Sequence, residues 1–184
     1  RDDERGWVRR EAEALWGARI VVAHGVVHQP ESLEGFVGED GGRRVGLLTY
    51  LARDDACEIV TIDAFEPGRG IGTALLDAVK ALGHRRLWLV TTNDNIRAQR
   101  FYERSGFRLV AVREGEIERS RRLKPQIPDV GEAGVPIRDE LDVRIRRLLE
   151  GSSRAERVGG RVVPLGGLAR LDRPDPIRPQ HLVV

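Results

Sequence analysis

The chain has 184 residues, 33% of them charged and 40% apolar, which suits one domain with a real apolar core plus a tail and is short for two ordinary domains. No apolar run approaches the roughly eighteen residues of a membrane helix, and the single cysteine, Cys57, cannot form an internal disulfide, so the composition predicts a cytoplasmic protein without structural disulfides and without a membrane partner. Of the formal net charge of +2, the excess sits beyond Gly151, where six arginines face three acids; the body is close to neutral, which argues against a nucleic-acid-binding domain with its concentrated basic face.

No methionine occurs, at position 1 or elsewhere, so the natural start is expected upstream. Asp2 or Asp3 can cap a helix that carries Trp7, Val8, Leu15 and Trp16 and stops at Gly17. Ile20 to Ala23 and Phe36 to Val37 are short, apolar and β-branched or aromatic. The second run precedes the turn signal Glu39-Asp40-Gly41-Gly42, and Val45 to Leu51 resumes the strand pattern, so these segments read as a hairpin. Past a turn at Arg53-Asp54-Asp55, the segment Cys57 to Phe65 is apolar on both alternations and predicts a central strand covered on both faces.

Ile71, Ala74, Leu75, Ala78, Val79 and Leu82 fall on one face at helical spacing, and Gly83 ends the run. Arg86 to Thr92 reads as a strand. Asn93-Asp94-Asn95 offers N-caps for a helix of about ten residues ending at Gly106, and Phe107 to Val112 is again strand-like. The order strand, helix, strand, helix, strand predicts an α/β layered domain whose sheet is parallel in part. Glu116 to Lys124 is expected as a charged helical turn, the Pro- and Gly-marked stretch 125–136 as a long loop, and Asp139 to Leu148 as a last strand or a short helix. The domain is placed at residues 1–148 and a Gly/Pro/Arg-rich tail at 149–184.

The turn Pro67-Gly68-Arg69-Gly70-Ile71-Gly72 lies where the central strand ends and the amphipathic helix begins. Its glycines let the backbone approach a ligand closely, and the helix dipole places about half a positive charge there. No Asp or Glu of the first turn is available to the free amides, and Arg69 is unfavourable at a helix start without an anion. An anionic group resolves both points; a tight strand-to-helix corner is the alternative. The endings of a P-loop and the spacing of a dinucleotide fold are both missing. Further on, Asn95, Ala98, Tyr102 and Ser105 share a helix face. A tyrosine so placed is either plain core or a functional phenol.

Together these residues resemble the GNAT superfamily of acyl-CoA-dependent N-acetyltransferases, through Glu58-Ile59-Val60 and Ile62-Asp63, the Arg69-Gly70-Ile71-Gly72 turn with Ala74-Leu75-Leu76, and Asn95, Ala98, Tyr102 and Gly106-Phe107 at the family spacing. The stretch Arg86 to Asn95 is similar to a bacterial branch of that family. The resemblance implies a mixed central β-sheet flanked by helices and splayed at the strand ending near Phe65. It also implies acetyl-CoA as co-substrate, with Ile62 and Ala64 along the pantetheine arm, Gly68, Arg69, Gly70, Ile71, Gly72 and Thr73 around the diphosphate, and Asn95 near the ligand. Pro67 departs from the pattern, standing where Arg or Gln is usual.

The activity so implied is direct attack of a small-molecule or peptide amine on the thioester, by a monomer or homodimer; a non-catalytic acyl-CoA-binding or regulatory module is the alternative. An alkylamine is mostly protonated at neutral pH, so a base must remove a proton. By the resemblance Glu58 is that base, expected on the same strand face as Ile62 and Ala64, with an ion pair to an arginine as its alternative role. Tyr102 is the expected partner of the departing sulfur. His24 and His28 lack companions for a metal site, so no metal is expected, and Cys57 reads as an inert core thiol.

Overall fold

In the computed structural model, which describes residues 2–131, 134–146 and 161–165, helix α1 (Asp2–Trp16) runs as the capping and spacing signals predict. Val8 and Ala12, one turn apart, are its buried residues, and Val8 packs with Val37, Leu47 and Leu165. The segment after it differs from the expected hairpin. β1 (Val21–Ala23) pairs antiparallel with β2 (Val26–His28) around His24-Gly25, as a two-stranded ribbon of its own. The Phe36 run belongs instead to β3 (Glu34–Asp40), which pairs with β4 (Arg43–Arg53). His24 adopts a positive φ of 52°, a turn conformation that the apolar pattern of the flanking residues does not announce.

β4 continues through the turn at Asp54 into β5 (Ala56–Ala64), and α2 (Ile71–Ala81) is the crossover to β6 (Arg86–Thr92), parallel to β5. α3 (Ile96–Arg104) and β7 (Arg108–Arg113) follow, then α4 (Glu116–Leu123). The segment expected as a strand or a short helix is strand β8 (Glu140–Arg146), inserted antiparallel between β6 and β7. Within the stretch read as a tail, Arg161–Pro164 forms β9 on β3, its two valines suiting an edge strand; residues 147–160 and 166–184 lie outside those described. Among the described residues the main sheet has the order β7-β8-β6-β5-β4-β3-β9, and no helix is long and apolar enough to cross a membrane.

Two features of this sheet position the site. First, the β4–β5 register passes from Tyr50 opposite Ile59 to Thr49 opposite Thr61, leaving Val60 as an unpaired bulge residue. A bulge bends its strand and shifts the alternation of faces by one. β5 and β6 are paired only over Ala56–Ile59 and Arg86–Leu89, so they part where the bulge lies and produce the expected splay. Second, α2 lies very close to the sheet. A Cβ on Gly46 would fall 2.7 Å from Ile71 Cγ2 and 2.9 Å from the Asp63 carbonyl oxygen; only glycine admits this approach. Ile71, Leu75, Leu76 and Val79 are thereby 0–6% exposed against Leu48, Tyr50 and Ile59, each burial worth about 1.5–3 kcal/mol. That packing fixes where the first turn of α2 points.

Candidate active site

The opened edge of β5, the first turn of α2 and one face of α3 enclose a groove of about 440 Å³. Of the residues expected to hold a cofactor, Ile62, Ala64, Gly68, Gly70, Ile71, Gly72, Thr73 and Asn95 line it. The structure brings them together from three elements. Arg69 is the exception: its guanidinium turns away to Asp40 at 2.6 Å and to Glu66, which also pairs with Arg43 at 2.9 Å. Its charge at the helix start is therefore neutralised by the protein, and no ligand is needed to explain it.

The amides tell the opposite story. Gly70 is the N-cap of α2 with φ 73°, a conformation costly for other residues, and among the described residues no side chain caps the helix. Among the described residues no hydrogen bond engages the backbone N–H of Gly68, Gly70, Ile71, Gly72 or Thr73; the first bond of the helix is Ala74 N–H to the Gly70 carbonyl at 3.0 Å. These donors, with the positive end of the helix dipole, face a groove whose walls carry Arg97 and Arg104. The arrangement accepts an anion of phosphate type.

Asn95 caps α3 as its position predicts, its Oδ1 accepting from Ala98 N–H at 3.1 Å. From that anchored helix Tyr102 reaches the groove, its ring held between Phe101 and Phe107 at centroid distances of 5.4 and 5.9 Å. Tyr102 is only 7% exposed, and its hydroxyl forms no hydrogen bond among the described residues. Burial, reinforced by the charge of Asp63, pushes its pKa above the usual phenol value, so the phenol stays protonated and can donate.

Glu58 is buried but is not part of the groove lining. The expected face-sharing with Ile62 and Ala64 is not found, because the Val60 bulge inverts the alternation: Cys57, Ile59 and Ile62 pack into the α2-side core, whereas Glu58 looks out of the opposite face toward His28, 3.9 Å away. Burial lifts its carboxyl to about 7, with His24 and Arg53 opposing; burial likewise holds the His28 imidazole below its usual value, Arg53 adding to this. Around them, His24 Nε2 meets Asp142 at 2.5 Å and stacks on Trp88. Among the described residues no group of His, Cys, Asp and Glu is arranged to hold a metal. Cys57 is 1% exposed, and burial, with the charges of Glu34 and Glu58, pushes its thiol to about 12, as an inert core cysteine requires.

Asp63, Glu66, Arg97, Phe101 and Arg104 line the groove without having been expected there. Arg97, Phe101 and Arg104 stand at i, i+4 and i+7 on α3, a spacing that was available as a signal. Asp63 had none. Ordinary alternation would set it opposite Glu58, yet past the bulge it shares that residue's face, lines the groove, and has its carboxyl lifted to about 6 by burial against the opposing effect of the Trp16 indole N–H.

Comparison with known proteins agrees with this geometry. The model of the Acetyltransferase (GNAT) family matches residues 3–107, a span that includes the glycine turn and the Asn95 to Phe107 block. Over 131 residues the chain is 38% identical to YxbD, an uncharacterized protein of Bacillus subtilis (strain 168), covering 68% of this chain and 82% of that one. A Bacillus subtilis acetyltransferase solved in complex with CoA superposes with a TM-score of 0.50 at 26% identity, over 60% of this chain and 74% of that one. A GNAT family acetyltransferase from Elizabethkingia anophelis with acetyl-CoA bound shares the fold, with a TM-score of 0.54 at 21% identity over 65% and 80% of the two chains.

Proposed function

Because the chain belongs to the GNAT family of acetyltransferases, we propose that it transfers the acetyl group of acetyl-CoA to the nitrogen of a small-molecule or peptide amine by direct attack. The observation that carries this reading is the set of amides from Gly68 to Thr73, uncommitted among the described residues and facing a groove that also receives the Tyr102 hydroxyl, itself unpartnered among them. A diphosphate fits those amides, and the freed edge of β5 at Ile62 and Ala64 supplies backbone groups for an extended amide-bearing arm. Acetyl-CoA supplies an activated thioester carbonyl.

The residues then divide the work. The amides and helix dipole fix the phosphate end, while the opened edge of β5 directs the acyl end through the splay. A carboxylate on the β5 face opposite α2 takes a proton from the amine; Glu58, with its carboxyl near 7, and Asp63, with its carboxyl near 6, both stand on that face. Tyr102 donates a hydrogen bond to the sulfur as its negative charge grows. With a phenol above 10 and a thiol near 8.5, complete transfer at the start is uphill, so the contribution is chiefly stabilisation of the developing thiolate.

One observation favours a second reading, an acyl-CoA-binding module without turnover: Glu58 lies outside the groove lining. Release of free thiol from acetyl-CoA in the presence of a panel of primary amines, followed continuously, separates the two. Amine-dependent release supports the enzyme; tight binding of acetyl-CoA with no release by any amine leaves the module.

A further inference from the structure

We infer that Asp63 is the carboxylate that receives the acceptor, binding an aliphatic ammonium group at the splay, so that the enzyme acts on alkylamines rather than aromatic amines. This rests on the acetyl-transfer reading above and adds to it a residue and a substrate class.

Four observations converge on Asp63. It lies three residues past the Val60 bulge, where β5 has left β6 and its edge is open. It lines the same groove as Tyr102, and its charge acts on the Tyr102 phenol. The Trp16 indole of α1 offers it one N–H, but among the described residues no arginine, lysine or histidine forms an ion pair with it. A half-buried carboxylate without a cation is costly to keep charged, and the burial that lifts its pKa expresses that cost. Glu58 differs on each count: it is off the groove, lies beside His28, and feels His24 and Arg53.

A cation at Asp63 removes the mismatch. An alkylammonium is charged at neutral pH and an arylamine is not, so the same carboxylate that attracts the first gives nothing to the second. The ammonium gives one proton to the Asp63 carboxylate; the neutral nitrogen attacks the thioester carbon, the C–N bond forming as the C–S bond breaks. The Tyr102 hydroxyl donates a hydrogen bond to the leaving sulfur as its charge grows, and the surplus proton of the acylated nitrogen then passes to the thiolate by way of that hydroxyl. The products are the acetamide, the free thiol and a proton returned from Asp63 to solvent.

The test uses the full chain with acetyl-CoA and three probe series, n-alkylamines, α,ω-diamines and anilines, comparing wild type with Asp63→Asn and Asp63→Glu. Acetyl-CoA affinity by calorimetry reports that the variants are folded. Asp63→Asn is expected to raise KM for n-alkylamines and to lower kcat/KM by about 100-fold or more, to leave acetyl-CoA affinity within twofold, and to be partly rescued by Asp63→Glu. Loss of less than threefold in kcat/KM, or a wild type that prefers anilines, overturns the inference while the acetyl-transfer reading stands. If the wild type acetylates no amine, that reading fails, and Asp63 is judged by n-alkylamine binding to the CoA-saturated protein. Binding that disappears in Asp63→Asn keeps the ammonium site; no binding to wild type removes it.

Discussion

The side chains of Glu58 and Ile62 lie on opposite faces of β5, because Val60 is an unpaired bulge residue between them. One strand thus serves two compartments: its α2-side face and free edge border the groove, its other face carries Glu58, and Asp63, on the Glu58 side beyond the bulge, reaches the groove at the open end of the strand.

Replacing Gly72 by Leu places a branched side chain where a Cβ alone would already touch the Phe101 ring at 3.5 Å and Ala64 at 3.9 Å. The added bulk enters the groove and screens the amides of the first turn of α2. Calorimetry is expected to show acetyl-CoA binding at least about tenfold weaker, roughly the 1.4 kcal/mol of one decade in affinity. Unchanged affinity in a folded variant removes the cradle from the account.

Tyr102→Phe removes one hydroxyl and leaves the packing against Phe101 and Phe107. Turnover is expected to fall by roughly 10²-fold, in the range for loss of one donor to a developing anion, with acetyl-CoA affinity within twofold. Stopped-flow thiol release and equilibrium binding separate the two; equal activity strips the phenol of its role.

Arg69→Ala tests the correction at the head of α2. The guanidinium is about half exposed and already paired with Asp40 and Glu66, and exposed pairs contribute about 0–1 kcal/mol. Acetyl-CoA affinity is expected to change by less than threefold. A loss near that of Gly72→Leu in the same titration contradicts the ion-pair assignment.

Glu58 links the site to stability. Its folded pKa of about 7 lies above the unfolded value of 4.5, so the folded state favours the neutral acid. The stability it contributes is fully present below pH 4.5 and is lost as pH rises through 7, a difference of about 3 kcal/mol from the shift. Glu58→Gln, which stays neutral, is expected to be more stable than wild type at pH 8 and nearly equal to it at pH 4.5. Urea unfolding at the two pH values measures this; equal midpoints at pH 8 refute it.

Cys57 is expected to react with an aromatic disulfide reagent only on unfolding, since its thiol is 1% exposed and lifted to about 12. Native labelling within seconds contradicts its place in the core.

Much of this molecule is written locally. The face of Ile71, Leu75, Leu76 and Val79, the stop at Gly83, the cap at Asn95 and the glycine corner each depend on residues within one or two helical turns, and each is found where the sequence predicts it. The family resemblance, carried by the glycine turn and the Asn95 to Phe107 block, was legible for the same reason. What only the tertiary structure decided depends on partners distant along the chain. The Val60 bulge is defined by the register of β4, and it alone sets Glu58 away from Ile62 and puts Asp63 on the Glu58 face. β8 became a strand because β6 and β7 leave a place between them, and Arg69 lost its need for an anion to Asp40 on β3. The raised carboxyls follow from burial among residues contributed by several elements. Helical periodicity is a property of neighbours; strand register, bulges and desolvation are properties of contacts, and a sequence alone does not list those.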